Sequence, residues 1–142
     1  MKRILAALIL SSRIALAADD KTFFSGGHLG MTIDECVAYY RKIADGGILD
    51  HSGAPRGEGQ VDFRTAAVPQ RRVYVFFRKA DNKIVSIMYW KLGDGETFSA
   101  DERNYLTNLN SGHGSIIART VEGGSGFEVT TPRQRQIEGD AY

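Results

Sequence analysis

The chain has 142 residues, of which 42% are hydrophobic, 25% charged and 10% aromatic, and these proportions exclude disordered, collagen-like and polytopic membrane chains. The 18 basic residues nearly balance the 17 acidic ones, so the charge predicts no nucleic acid partner and no anionic membrane partner. A chain of this length has room for one modest core and no second large domain.

Residues 1–17 are predicted to be a secretory signal peptide. Lys2 and Arg3 precede the apolar run 4–10, and Ala15-Leu16-Ala17 has the small-x-small pattern of a signal-peptidase site. The apolar run is shorter than the roughly 20 residues of a membrane span. Cys36 lies too far from the predicted cleavage site to be a lipid-anchored first residue, so we expect no stable membrane anchor after cleavage. The alternative is an amphipathic N-terminal helix packed on the domain. Cleavage leaves one domain, 18–142, with 15 basic and 17 acidic residues, in a secreted or periplasmic location.

A helix is predicted to begin at Thr32, which can cap it, and Glu35 stands where it completes a capping box. Its apolar residues have the spacing of one buried stripe, and it ends near Gly46-Gly47. The stripe comprises Ile33, Cys36, Val37, Tyr40 and Ala44. Cys36 is the sole cysteine, so no internal disulfide is possible, and we expect a buried, free thiol rather than a reactive or partner-linking one.

The middle of the chain predicts a loop and three strands. Residues 48–59 are rich in Gly, Ser, Pro and charge and are typical of a loop, and 61–65 alternate apolar and polar side chains as a half-buried strand does. Segments 72–79 and 84–92 are β-rich and flank the turn 80–83, the pattern of a hairpin.

Pairing Lys79 with Ile84 fixes a register for this hairpin in which both faces are apolar. One face carries Val73, Val75, Phe77, Met88 and Trp90, and we expect it to pack against the helical stripe of Ile33, Val37 and Tyr40. The other face carries Tyr74, Phe76, Ile87 and Tyr89. This second face is either a binding surface or is covered as core by residues 48–59 or by the segment from Pro132.

A second helix is predicted after Ser99, which forms a capping box with Glu102, and its buried residues are Tyr105, Leu106 and Leu109. Strands 115–121 and 126–131 follow, and a polar tail begins at about 132. The prediction is an α+β fold with two helices packed on one face of an antiparallel sheet of about five strands, in the order αβββαββ.

Residues with catalytic chemistry are few and scattered. The three histidines have no partner at metal-ligand spacing, so neither a metal nor another cofactor is predicted. Neighbouring residues of Asp50-His51-Ser52 point in opposite directions on an extended chain and cannot form a triad. Arg71 and Arg72 are expected to be solvated edge charges.

Gly30-Met31-Thr32-Ile33-Asp34-Glu35, followed by a helix and a hairpin-rich sheet, resembles the opening of the β-lactamase-inhibitor-protein-like and outer-membrane-assembly lipoprotein superfamily. The run 73–91, Ser99-x-x-Glu102 and Leu106-x-x-Leu109-Asn110 also look like a set of small, secreted, uncharacterised bacterial proteins. The resemblance implies a helical layer on an antiparallel sheet and a role in binding other proteins.

The leading hypothesis is therefore a small secreted, non-catalytic module of the bacterial envelope or periplasm. It would bind another protein or envelope component through Tyr74, Phe76, Ile87 and Tyr89. Two alternatives stay open: a small secreted hydrolase, and a structural protein whose apolar sheet face is covered in a homodimer. The hydrolase site would be drawn from His51, His113, Asp50 and Glu102.

Overall fold

The computed structural model describes residues 19–51 and 58–141, so the predicted signal peptide lies outside the described residues. The described part forms an α+β fold with four α-helices and one antiparallel sheet of six strands, in the order β1-β2-β3-β4-β6-β5. The helices are α1 (Asp20–Phe24), α2 (Ile33–Ile43), α3 (Ala100–Asn110) and α4 (Pro132–Ala141). The strands are β1 (Gly47–His51), β2 (Glu58–Arg64), β3 (Arg71–Arg78), β4 (Ile84–Lys91), β5 (Ile117–Val121) and β6 (Gly126–Thr130). Among the described helices, none has the length and apolar character needed to span a membrane.

The starts of α2 and α3 confirm the predicted caps. Thr32 Oγ1 accepts a hydrogen bond from the Glu35 backbone N–H at 3.4 Å, although the Glu35 carboxylate accepts from the Thr32 hydroxyl rather than from its backbone. At α3 the capping box is complete, since Glu102 N donates to Ser99 Oγ and Ser99 N donates to Glu102 Oε1. Both helices thus begin where local hydrogen bonding satisfies their first backbone donors.

The core lies between helices α1–α3 and one face of the sheet, which we call the inner face. Tyr40 of α2 stacks on Phe63 of β2 with ring centroids 4.0 Å apart, and Phe24 of α1 meets Tyr89 of β4 edge-on at 5.6 Å. Leu106 of α3 is also buried. The inner face comprises Val61, Phe63, Val73, Val75, Ile87, Tyr89, Phe127 and Val129, all of them buried. The prediction that two helices pack on one face of an antiparallel sheet is confirmed for α2 and α3.

Three elements differ from the prediction, so the described order is ααββββαββα. Helix α1 precedes the predicted first helix and buries Phe23 and Phe24. The start of the predicted loop 48–59 lies in edge strand β1, which pairs with β2. The predicted polar tail forms helix α4, whose N-terminus is capped by Thr131. The two early elements are five residues each, too short for hydrophobic periodicity to identify.

The buried Cys36 confirms the predicted orientation of α2. Its side chain is fully buried and free, and burial raises the pKa of the thiol to about 12. A Cβ at Gly27 would lie 2.8 Å from Cys36 Sγ, so backbone and thiol are in close contact. The thiolate that nucleophilic chemistry requires is therefore disfavoured at neutral pH.

We expect Cys36 of the folded protein to react slowly with a thiol reagent and to react at the normal rate in denaturant. Cys36→Ala should lower the free energy of unfolding by about 1 kcal/mol, and Cys36→Asp by considerably more, because an unpaired buried carboxylate costs more than a small cavity. Spectrophotometric thiol titration and urea unfolding measure these effects. Rapid labelling under native conditions would contradict the buried position.

An ion-pair network closes one end of the inner face. Arg71 and Lys91 are opposite each other on β3 and β4, and their exposed fractions are 8% and 6%. Arg71 Nε lies 2.8 Å from Asp20 Oδ1, and Lys91 Nζ lies 2.6 Å from Glu102 Oε2 and 3.6 Å from Asp20 Oδ2. Arg71 also contacts Glu96 at 3.4 Å. The prediction that Arg71 is a solvated edge charge is wrong, because its position in β3 turns it toward α1.

The network lowers the pKa of both carboxylic acids that share Lys91. Burial alone would raise the pKa of Asp20, but hydrogen bonds and charge from Arg71, together with Lys91, hold it below its ordinary value. Burial would likewise raise the pKa of Glu102, but hydrogen bonds from Lys91 and from the Ser99 backbone N–H, together with the charge of Lys91, hold it below its ordinary value. Because these pKa values are depressed on folding, the network stabilises the folded state at neutral pH and loses that contribution in acid.

We expect Asp20→Asn to be less stable than the wild type at neutral pH. The difference should shrink as the pH falls below 3.8, the ordinary pKa of Asp20, because the Asp20 carboxylate of the unfolded wild type then binds a proton that the folded state, with its lowered pKa, does not yet bind. Urea unfolding between neutral pH and pH about 3 measures this. Asp94→Asn, at an exposed turn residue without an ion pair in the described part, is the matched control. A stability difference that does not vary with pH would contradict the assignment.

Candidate functional site

The register of the β3–β4 hairpin decides which side chains reach each face. Val73 pairs with Tyr89 and Tyr74 with Met88, so the predicted pairs Val73–Trp90 and Tyr74–Tyr89 are wrong by one residue. The ladder shifts between Phe76 and Phe77, and Phe77 pairs with Ile84. The loop therefore spans residues 79–83, one residue more than the predicted turn. A bulge of this kind is not visible in the alternation of apolar residues.

This register divides the four predicted site residues between the two faces. Tyr74 and Phe76 lie half-buried on the face opposite the helices, which we call the outer face. Ile87 and Tyr89 lie on the inner face and are 0% exposed. Tyr89 Oη accepts a hydrogen bond from Asn110 Nδ2 at 3.0 Å, and burial raises the pKa of this phenol. The prediction that all four share one surface is wrong, because a one-residue slip moves every side chain of β4 to the other face.

Trp90 and Met88 take the outer positions instead. Arg64 pairs with Arg72 across β2–β3, and Arg72 pairs with Trp90 across β3–β4. These three residues form a continuous line across three strands, which we call the donor row. Tyr74 and Met88 are opposite each other in the next line of the outer face. The expectation that Trp90 packs against α2 is therefore wrong, and Tyr89 and Ile87 supply the inner face of β4.

Neighbouring small and aromatic residues hold the Trp90 ring in place. Gly126 is opposite Trp90 on β6, and a Cβ there would lie 2.7 Å from Trp90 Cζ3 and 2.5 Å from Val121 Cγ2. The ring centroids of Tyr74 and Trp90 are 6.4 Å apart at 54°. Gly126 thus leaves the space that the indole occupies. Trp90 is the only tryptophan of the chain.

Each member of the donor row has a buried N–H without an acceptor. These are Arg64 Nε, Arg72 Nε and Trp90 Nε1. Arg72 Nη1 donates to Tyr74 Oη at 3.4 Å, but neither arginine forms an ion pair in the described part of the chain. A buried donor left unpaired costs about 1–3 kcal/mol, and natural structures contain few of them. Three such donors in adjacent positions set this row apart from the rest of the sheet.

The carboxylates nearest to the row are held by other side chains. Asp62, 4% exposed, accepts from Gln60 Nε2 at 2.9 Å. Glu128 contacts Arg119 at 2.7 Å and Arg135 at 3.3 Å. The row therefore keeps two guanidinium charges that no acidic side chain of the described residues neutralises.

Helix α4 covers the opposite end of the outer face. Gln134 is buried and hydrogen-bonds to Glu58 of β2, and Arg135 reaches Glu128 of β6, so the helix crosses the strands between them. Ser86 and Thr130 on this end are buried. The segment from Pro132 thus covers part of the face, and the described side chains of α4, 132–136, make no hydrogen bond or ion pair with the donor row, Tyr74 or Met88.

The two hydrolase candidates whose side chains the structure describes are not brought together. Asp50 is exposed on edge strand β1, while Glu102 is held by Lys91 and by its capping box at the start of α3. The side chains of His51 and His113 lie outside the described residues. Within the described ranges, no cluster of three or more His, Cys, Asp or Glu side chains has an arrangement able to hold a metal ion.

Comparison of the chain with protein-family models, with curated proteins and with solved structures finds no match. The outer face is thus the candidate site on its own geometry. Of the four residues predicted to bind a partner, Tyr74 and Phe76 lie on the outer face, and the sequence analysis did not single out the donor row. The consecutive Arg71-Arg72 pair was a signal, since alternation along a strand places only one of two neighbours on each face.

We expect Tyr89→Ala to lower the free energy of unfolding by about 3 kcal/mol or more, because a fully buried ring leaves a cavity and Asn110 loses its acceptor. Tyr74→Ala, the matched change on the outer face, should cost about 1 kcal/mol or less. Urea unfolding of the two variants gives the comparison. Equal losses would contradict the assignment of these tyrosines to different faces.

Proposed function

We propose that this protein is a small secreted, non-catalytic binding module of the bacterial envelope or periplasm. It binds another protein through the donor row, Tyr74 and Met88 on its outer sheet face. The proposal rests chiefly on one observation: the donor row, with unpaired Arg64, Arg72 and Trp90 donors, lies beside Tyr74 on the outer face, away from the contacts that the described side chains of α4 make with Glu58 and Glu128.

The composition of this surface supports a protein partner. Trp, Tyr and Arg are the residue types most enriched at the energetic centres of protein interfaces, and four such residues are adjacent here: Arg64, Arg72, Tyr74 and Trp90. Met88 adds a flexible apolar side chain next to Tyr74. All five are half-buried, so their stems are already packed and less side-chain entropy is lost on binding.

The sheet gives this surface a fixed shape. The donor row lies on three hydrogen-bonded strands, with β6 beside Trp90, and the opposite side of the same strands forms the core. A surface carried by central strands moves little on binding, so partner recognition requires no prior ordering of the backbone. The predicted signal peptide and the family resemblance support export and protein binding, respectively.

The test is affinity capture from an envelope extract with the mature wild-type protein and with Arg72→Ala/Tyr74→Ala. We expect a protein that the wild type retains and the double variant loses, with affinity for the purified partner falling at least about thirtyfold, as for interface hot spots. Arg41→Ala, at an exposed residue of α2, should bind like the wild type. Binding that the double variant retains unchanged would contradict the proposed surface.

Sedimentation of the purified protein separates a partner protein from a second copy of this chain. A dimer that Arg72→Ala/Tyr74→Ala dissociates and Arg41→Ala leaves intact would place the self-interface on the outer face. That outcome would replace the proposed partner by a homodimer.

A further inference from the structure

We infer that the segment bound by the outer face is acidic, with Asp or Glu carboxylates that accept hydrogen bonds along the row Arg64–Arg72–Trp90. This inference rests on the proposed function, since it names the chemistry of the partner at the same surface. It has three independent supports: the local charge, the unpaired donors and the spacing of the row.

The charge of the row is local and is not part of an ion pair among the described residues. Arg64 and Arg72 are adjacent cations without ion-pair partners in the described part of the chain, whereas Glu128 pairs with Arg119 and Arg135. Two neighbouring cations repel each other on a partly buried surface, and a carboxylate between them converts that repulsion into attraction. The predicted mature chain has more acidic than basic residues, so this attraction belongs to the row and not to the whole molecule.

The donors of the row match a carboxylate in kind. A guanidinium binds a carboxylate through paired N–H groups, which can include Nε, and such charge-assisted bonds are about twice as strong as neutral ones. In the free protein the two Nε–H groups and the indole N–H are buried and have no acceptor. Binding therefore requires the long arginine side chains to rotate, which presents their own N–H groups and uncovers the fixed indole N–H of Trp90 beside Arg72. A partner that supplies acceptors removes the cost of leaving these donors unpaired.

The spacing of the row favours a peptide over a single small anion. The row crosses three adjacent strands, so Arg64 and Trp90 are separated by roughly 10 Å, twice the distance between neighbouring strands. One phosphate cannot contact both ends. An extended segment places alternate side chains on the same side about 7 Å apart, so two of its carboxylates can serve the row together. Tyr74 and Met88, in the next line, offer apolar contact to the intervening side chains.

Trp90 provides a direct measurement, because the only indole N–H of the chain belongs to the proposed site. The probes are a blocked octapeptide with the repeat Glu-Leu-Glu-Ser and its match with Gln in place of every Glu. In ¹⁵N-correlated spectra, we expect the acidic peptide to shift the Trp90 Nε1–H resonance downfield with saturation, and the Gln peptide to leave it unchanged. Added salt should weaken the effect, because the interacting charges are partly exposed.

Variants of the arginines test the donors separately from the fold. Arg64→Gln and Arg72→Gln should each weaken binding of the acidic peptide about tenfold, as expected for loss of a charge-assisted hydrogen bond. Arg72→Lys keeps the charge but not the paired N–H groups, and it should fall between Arg72→Gln and the wild type. Arg41→Gln, which removes the same charge from an exposed position on α2, should bind like the wild type. The backbone spectrum of each variant reports whether it is folded.

Three outcomes would overturn the inference. The first is equal binding of the Glu and Gln peptides. The second is the absence of any Trp90 shift up to millimolar peptide. The third is a loss of acidic-peptide binding that is as large in Arg41→Gln as in Arg72→Gln. Binding to vesicles of anionic lipid or to inorganic phosphate in place of the peptide would assign the row to a different ligand. A different result would contradict the proposed function: affinity capture in which the wild type and Arg72→Ala/Tyr74→Ala retain the same proteins.

Discussion

The β3–β4 register is the constraint on which the remaining structure depends. It is locked from the core side by Asn110, which is fully buried at the end of α3. Its Nδ2 donates to Tyr89 Oη at 3.0 Å and to Leu106 O at 2.8 Å, and its Oδ1 accepts from Leu29 N at 2.9 Å. One amide thus ties the hairpin to α3 and to the segment before α2. A slip of one residue would break the bond to Tyr89 and bring Trp90 into a site shaped for a phenol.

The two faces of the sheet satisfy their polar groups in different ways. On the inner face, Arg71 and Lys91 are more than nine-tenths buried and have carboxylate partners in Asp20, Glu96 and Glu102. On the outer face, three N–H donors of the adjacent arginines and tryptophan have no hydrogen-bond acceptor. The contrast involves Arg71 and Arg72, which are consecutive in the chain. Its source is strand alternation, which turns Arg71 toward α1 on the inner face and Arg72 to the outer face.

Local signals predicted the elements whose ends are fixed by their own side chains. Thr32 and Ser99 mark the starts of α2 and α3, and the spacing of Ile33, Cys36 and Tyr40 gives the buried stripe. The face assignments of β4 depend on something else, a bulge after Phe76 and the partners of Asn110 from distant segments. Contacts between such distant segments produce no periodic pattern of apolar residues in the sequence. Because the hairpin is apolar on both faces, the usual alternation that would reveal the register is missing.

The same apolar character explains why the four residues predicted to share one surface are divided between the two faces of the hairpin. Ile87 and Tyr89 complete the core, and their burial supports the fold whether or not a partner exists. Arg64, Arg72 and Trp90 contribute packing, but their unpaired donors oppose stability. A face built only for stability would carry apolar or paired residues at these positions. The packing of the donor row therefore carries a cost that folding alone does not explain and that the buried inner face offsets, and the proposed partner would supply the acceptors that the row lacks.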